Sequence, residues 1–490
     1  MSSRDPFLYS ARFRSDIEEI ECYVVGGLHP VHLNDVVSAS HNGRYRILHK
    51  LGFGSFSHVW LGQNLDQAHP GHRGVAVKFV AADQTRKTHE AEVNEYLASR
   101  SRGDPGFQNF ALCLDTFQVS GPNGIHDVII SEPAILLLDL FYNDVMEHLD
   151  ERLIFEQALS GVGFLHTHGV VHRDLHLGNM AIEFPFLRTA GVPELMNGSG
   201  RPRCHAFVPT QLPAEPPSIP TYLVENAKFC GRLTPLMKTQ ASFNVKIIDF
   251  GRSFRVGVHE LPNSDEERPI LKPPECNLPA MITRENKSFV ATVQTRTSDT
   301  SSASEADIQP RDLSDLVWST QGDIWILGCT FFTILLRDRG QWDHIFQSGY
   351  EGGAALFHAI AKYMGPMPDR YKLLLQELVG TDLEWPWDSD NCARALDIDP
   401  SLADPHVIEN NWVQLEKEVL DFRRSWRTRG VAGPWAVDGQ SPSYDDVSEE
   451  EDRKRVRLCL EVIRQMLGWS PEDRIKASDV AALPWPQLGT

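Results

Sequence analysis

Apolar positions recur along the chain at two spacings. Arg44 to Leu48 alternates as a strand and runs into Leu51, Gly52, Phe53 and Gly54. Gly74 to Val80 is a second strand in which Lys78 stands alone among apolar neighbours. A lysine suits such a strand poorly unless an anion accompanies it. Val128 to Ala134 predicts a strand stopped near Pro133, and Asn244 to Ile248 another. Helical spacing appears over Thr88–Ser99, with Ala91, Val93 and Leu97 apolar, and over Leu153–His168, with Ile154, Ala158, Val162 and Leu165 on one stripe. Ile324–Leu336 is apolar almost throughout, which predicts a buried core helix too short to span a bilayer. Ser448 and Glu451 have the spacing of a capping box opening a late helix.

Between these elements lie stretches without a period. Residues 1–43 read as an irregular leader broken at Gly26, Gly27 and Pro30. Residues 185–242 hold nine prolines, a composition that predicts an extended, partly disordered insert rather than helix or central strand. Residues 286–314 are polar and low in complexity, and 370–450 form a further insertion rich in Trp, Asp and Pro.

Composition narrows the chemistry. The net charge of −19 argues against nucleic acid, which requires a basic face; it favours a cationic partner, although a generally solvated acidic surface is the commoner reading. The eight cysteines show no paired spacing, so neither a zinc site nor a disulfide framework is expected. The first residues lack the apolar core of a signal peptide. A soluble monomer in the cytoplasm is expected, with no membrane role. Arg453, Lys454 and Arg455 raise the nucleus as a second location, against the plainer reading of a charged helix face.

The candidate chemistry centres on residues 170–179, where Asp174 and Asn179 stand five apart behind an apolar segment. This is the pattern H-R-D-L-x-x-x-N of the protein kinase catalytic loop, whose Asp accepts a hydroxyl proton and whose Asn holds a metal ion. The other parts follow in order. Gly52 and Gly54 allow a tight turn over phosphates, with Val59 against the adenine. Lys78 ends the run V-A-V-K, and Asp249 opens D-F-G as a metal ligand. For the helix carboxylate that pairs with Lys78, Glu92 fits best because it directly precedes Val93, with Glu95 the alternative and Glu90 also on the helix. Pro274 and Glu275 stand where A-P-E would close the activation segment, and Arg474 is the expected buried partner of Glu275. Asp323 is expected to bond the backbone of the catalytic loop.

Taken together, the chain resembles eukaryotic protein kinases over residues 44–486. Within them it is similar to the SR-protein kinases and their fungal relatives, through Glu21 to Val31, Lys50 to Leu61 and the insert before D-F-G. The resemblance implies an α+β, bilobal protein kinase fold. A small β-rich N-lobe with one main helix would span 44–132, and a larger, mostly helical C-lobe 133–486. It implies ATP and Mg²⁺ as cofactors, with Leu51, Gly52, Gly54, Val59, Ala76 and Lys78 around the nucleotide and Glu132 and Ala134 in the hinge. Asn179 and Asp249 would hold the metal, and Asp174, Lys78, Glu92 and His176 would form the catalytic set.

Three positions depart from the family pattern. His176 replaces the usual lysine two residues after Asp174, Lys272 replaces an arginine, and Ser131 replaces a large gatekeeper. The implied activity is transfer of the ATP γ-phosphoryl group to protein serine or threonine, with Arg/Ser-rich proteins as the candidate substrates. Asp382, Glu384, Asp388, Asp390, Asp397 and Asp399 would attract such basic chains. A pseudokinase acting as a binding module is the alternative, supported only by His176 and Lys272. A small-molecule phosphotransferase of the aminoglycoside or choline type is a third reading, opposed by Glu275 with Arg474, by Asp323 and by the glycine turn.

Overall fold

A computed structural model describes residues 16–39, 43–66, 71–85, 87–142, 149–206, 218–229, 243–259, 272–277, 318–336, 345–346, 353–378, 389–428 and 448–483. The chain forms two compact units. The first runs to Val170 and resumes over Leu177–Arg255, and the second comprises Val171–His176 and Val256 onward. The α+β class holds: the first unit carries the sheets and the second is helical.

The first unit is built on a six-stranded antiparallel sheet of β1 (Val36–Ser38), β2 (Arg44–Gly54), β3 (Ser57–Asn64), β4 (Gly74–Val80), β5 (Cys113–Gly121) and β6 (Gly124–Ser131), in the order β1-β2-β3-β4-β6-β5. Side chains alternate between faces with a period of two. On β4, Val75, Val77 and Phe79 therefore share one face, in a cluster with Val31, Tyr45, Ile47, Trp60, Val128, Ile130 and Val224. Val80 takes the opposite face with Cys113 and Ile129, against Ala98. Both faces are covered, which is why β4 reads as one apolar run instead of an alternation.

The cover on the first face comes from the leader and the Pro-rich stretch. The leader is irregular over most of its described residues, yet it is ordered and packed. It supplies β1 to the sheet edge, and Ile17, Tyr23 and Leu28 pack with Ala81 and Leu223. The Pro-rich stretch is likewise ordered where it is described. It contains the helices Pro185–Thr189 and Val192–Ser199 and a hairpin pairing Cys204–Ala206 with Tyr222–Val224. Leu195, Leu223 and Val224 are each about 1% exposed, so the insert buries core residues. Proline enters at the first turn of each helix, where its missing N–H costs nothing. The segment 207–217 lies outside the described residues, as does 286–314.

The first unit extends past residue 132. The strands Ala134–Leu136, Met180–Glu183 and Asn244–Ile247 form a second sheet, ordered with Met180–Glu183 in the middle. It joins the first unit where Ala111 N–H donates to Ile247 O at 3.0 Å. Phe107, Phe110, Phe164 and Phe250 stack or meet edge-on there. Phe164 belongs to the helix Glu151–Thr167, which is capped by Asp150 and buries Ile154, Ala158, Val162 and Leu165 as their spacing predicts.

In the second unit the helix Thr320–Leu336 is buried nearly all round, as a core helix must be. Glu449–Met466 opens with both bonds of the Ser448–Glu451 capping box. Arg453 and Lys454 are exposed on this helix and Arg455 is half-buried, with Arg453 3.8 Å from Glu450. Within 370–450 most of the described residues are helical, in Asp369–Leu378, Ser389–Leu396 and Pro405–Thr428. Asp399 caps a short turn through Ser401 N–H at 2.8 Å. Asp382, Glu384 and Asp388 lie outside the described residues. No helix among the described residues is long and apolar enough to cross a membrane.

Since Leu223 holds the leader to the sheet, Leu223→Ala should lower stability by about 2–5 kcal/mol, read as a shifted urea midpoint. Deleting 218–229 should cause more loss than deleting 209–217. A wild-type midpoint in Leu223→Ala would show that the insert is not part of the core.

Candidate active site

In the first unit the candidate residues begin with Lys78. Strand alternation places it on the face of Val80, and the helix Glu90–Ala98 (α2) brings a carboxylate to it. Lys78 Nζ lies 2.5 Å from Glu90 Oε1 and 2.9 Å from Asp249 Oδ1. Burial alone would push the lysine pKa down, but Asp249 and Glu90 outweigh it and hold the ammonium above its usual range. The two carboxylates are the anions that a lysine in an apolar strand requires.

Glu90 is therefore the partner, and the expectation of Glu92 is corrected. The buried positions of α2 are Glu90, Val93, Asn94 and Leu97, an i, i+3, i+4, i+7 stripe. Counting back three from Val93, not one, leads to Glu90. Glu92 is 52% exposed and lies 3.4 Å from Arg255, whose guanidinium stacks 3.6 Å from the Tyr96 ring centroid. Glu95 accepts a hydrogen bond from Thr116.

Asp249 follows the strand Asn244–Ile247 and takes a left-handed backbone (φ 63°) rare outside glycine. Its Oδ1 accepts from Gly251 N–H at 3.2 Å, which turns the chain sharply into the next residues. Asn179 ends a one-turn helix over Leu177–Asn179, is 6% exposed, and accepts Ile248 N–H on its backbone oxygen at 3.1 Å. The Asn179 backbone is thereby tied next to Asp249.

The turn joining β2 and β3 pairs Gly52 with Val59 and Gly54 with Ser57. A β-carbon at Gly52 or Gly54 would meet nothing within 4 Å, so open space lies over both. Val59 pairs in turn with Lys78, and Ala76 with Ser131, so Val59, Ala76 and Lys78 are near neighbours in the sheet. Leu51 lies in β2 just before Gly52.

At the expected hinge, Glu132 N–H donates to Leu112 O at 3.1 Å, so this donor is not offered to a ligand. The Glu132 carboxylate is buried and bonds Lys246 at 2.9 Å, with His72 and Arg188 at 3.4 Å. Burial would raise its pKa, but the bonds from His72 and Lys246 pull it down to about 2. Ala134 pairs with Glu183, whose carboxylate shares Lys246 at 3.2 Å. This charged cluster carries no motif and went unread in the sequence.

The second unit holds the catalytic-loop segment Val171–His176. The buried Asp323 carboxylate accepts His172 N–H at 2.8 Å and Arg173 N–H at 2.7 Å, as its place at the head of the core helix predicts. Thr330 Oγ1 donates to Leu175 O at 2.8 Å. Arg173 also adopts positive φ (70°), a strained turn fixed by these bonds from one helix. Asp174 therefore has a rigid backbone, and His176 Nε2 lies 3.6 Å from its Oδ1. Arg474 makes a two-point contact with Glu275 at 2.6 and 2.7 Å, both side chains fully buried. Lys272 is buried two residues before Pro274.

No protein-family profile matches the chain. Among curated proteins it is similar to the serine/threonine-protein kinase spk-1 of Caenorhabditis elegans, 34% identical over 192 residues, 37% of this chain and 18% of that one. The serine/threonine-protein kinase SRPK of Physarum polycephalum is 35% identical over 179 residues, 35% of this chain and 40% of that one. Human SRSF protein kinase 3 is 31% identical over 188 residues, 36% of this chain and 32% of that one. The match thus spans less than half the length of each of these relatives. A solved kinase domain overlays with a TM-score of 0.46 and 12% identity, over 91% of this chain and 95% of that one. The resemblance to SRPK-type serine/threonine kinases read from the motifs is present in these alignments as well.

If Glu90 is the partner, Glu90→Ala should lower the pKa of Lys78 and speed its acylation at neutral pH, measured by mass spectrometry. Glu92→Ala should leave the rate at Lys78 unchanged. Equal acceleration in both variants would contradict the assignment.

Proposed function

We propose that this chain is an ATP- and magnesium-dependent serine/threonine protein kinase that favours Arg/Ser-rich substrates. The observation that carries the reading is the ammonium of Lys78 held between Glu90 and the part-exposed carboxylate of Asp249. A fixed cation beside a carboxylate suits a polyphosphate and its counter-ion. Asp249 and Asn179 offer hard oxygen donors, which fit a hard divalent cation such as Mg²⁺. Bound there, that ion would neutralise charge on the phosphates. The open space over Gly52 and Gly54 fits phosphate oxygens that must approach backbone N–H groups.

In the transfer, the substrate hydroxyl oxygen bonds to the γ-phosphorus as the bond to the β–γ bridging oxygen breaks, leaving ADP. The hydroxyl proton passes to the Asp174 carboxylate. Asp323 fixes the loop backbone so that Asp174 does not have to be ordered during the reaction. His176, beside Asp174, stands where the resemblance implies a lysine. A neutral imidazole supplies less positive charge to the transferring group than an ammonium would. The net charge of −19 supports attraction of arginine-rich chains, an effect that salt weakens. The pseudokinase reading has less support, since Lys78, Asn179 and Asp249 are all retained.

The test is transfer from radiolabelled ATP to an Arg/Ser-repeat peptide and to a generic basic protein. Asp174→Ala, Lys78→Met and Asp249→Asn should each reduce turnover by roughly a hundredfold or more; Asp174→Ala should keep the melting temperature, whereas Lys78→Met, which leaves the buried Glu90 without its cation, should lower it. Unchanged transfer in a folded variant would remove that residue from its role. His176→Lys should raise kcat, and a fall would give the histidine a function of its own. Reversing Asp382, Glu384 and Asp388 to lysine should raise KM for the Arg/Ser peptide and flatten its salt dependence. An unmoved KM would rule out those carboxylates as the substrate's contact.

A further inference from the structure

Lys50, two residues before Gly52, is wholly buried in β2, and its ion-pair partner is Glu18 of the leader, 2% exposed. Tyr23 O–H donates to the other oxygen of Glu18 at 2.5 Å. The Lys50 ammonium also lies 5.0 Å from the ring centroid of Phe53, the residue between the two glycines, and 5.6 Å from that of Trp60. Both are within cation–π range. The backbone of Lys50 is held from a third direction: its carbonyl accepts Ala227 N–H at 2.7 Å, and Asn226 N–H donates to Asp16 O at 3.1 Å. Leader and Pro-rich insert therefore meet at one residue of the strand that leads into the glycine turn.

The strand is irregular at that place. The pairing of β2 with β3 shifts register between Ile47 and His49 and again between Lys50 and Gly52. Such irregularities re-aim side chains and bend a strand, and they need something to fix them. A buried ion pair is a poor source of net stability compared with an apolar pair, but it fixes geometry, because a buried charge must keep its partner. The open space over Gly52 and Gly54 means that the turn has no packing of its own on that side.

We propose that the Glu18–Lys50 pair positions the glycine turn, so that the leader and the insert strand together set the affinity for nucleotide. This rests on the reading that the turn covers the phosphates of ATP. Glu18 and Lys50 are positioning residues, acting through the backbone of 51–54 and the ring of Phe53.

The test uses the full chain with Glu18→Gln and with the double variant Glu18→Gln/Lys50→Met, which leaves no uncompensated charge. Four quantities are read: melting temperature, hydrogen exchange at 51–57, the Kd of a fluorescent ATP analogue, and KM for ATP against KM for peptide. Glu18→Gln should melt lower, exchange faster at 51–57, and bind nucleotide roughly tenfold more weakly with peptide KM unmoved. The double variant should regain the melting temperature yet keep the fast exchange and weak nucleotide binding. Recovery of nucleotide affinity together with melting temperature would reduce the pair to a structural one and overturn the proposal, as would unchanged exchange at 51–57 in both variants. Should the wild type bind no nucleotide, the kinase reading fails, and exchange at 51–57 alone then decides whether the pair holds the turn.

Discussion

A lysine cannot be taken into an apolar sheet without an anion, and much of the first unit follows from meeting that demand at Lys78. The ammonium needs carboxylates from outside its strand. One comes from the first residue of α2, the other from the turn after Asn244–Ile247. Three separate segments are thereby held to one atom. The strained φ of Asp249 is tolerated because Gly251 and Lys78 both engage its carboxylate. The same arrangement leaves Asp249 part exposed, so a carboxylate that orders three segments also faces solvent.

The second unit meets a parallel need with backbone groups in place of a side chain. The bend at Arg173 leaves two N–H groups in a dry interior, where an unpaired donor costs about 1–3 kcal/mol. Asp323 accepts both, and Thr330, two turns further along the same helix, donates to Leu175 O. One buried helix thus holds the loop from His172 to Leu175. The Glu275–Arg474 pair follows the rule that a buried charge keeps a matched partner, here a planar fork against a carboxylate.

What was legible in the sequence was chemistry that breaks a local pattern. Lys78 among valines, Asp323 at the head of an apolar run and Ser448 three before Glu451 each announce themselves against their neighbours. The choice among Glu90, Glu92 and Glu95 was less legible because it depends on helix phase. The stripe starts at Glu90 itself, and a carboxylate on the buried stripe looks like an error until its partner is known. The charged cluster of Glu132, Glu183, Lys246, Arg188 and His72 was hidden for another reason: its members lie up to 174 residues apart and none belongs to a motif.

The cover of the sheet was the least legible part, and the reason is physical. Ile17, Ile20, Tyr23, Leu28 and Val31 are all buried, yet their spacings of three, three, five and three match neither a strand nor a helix. Tyr222–Val224 is three residues long, too short for a period to register, and sits in proline-rich sequence that resembles a linker. The missing evidence lay on the other partner. A strand apolar on both faces requires two covers, and α2 accounts for only one of them. The apolar run from Val75 to Phe79, interrupted only by Lys78, was therefore a statement that something outside the regular elements must pack there. Leader and insert fill that role, and each is fixed to the sheet by apolar side chains that its own local sequence gives no reason to bury.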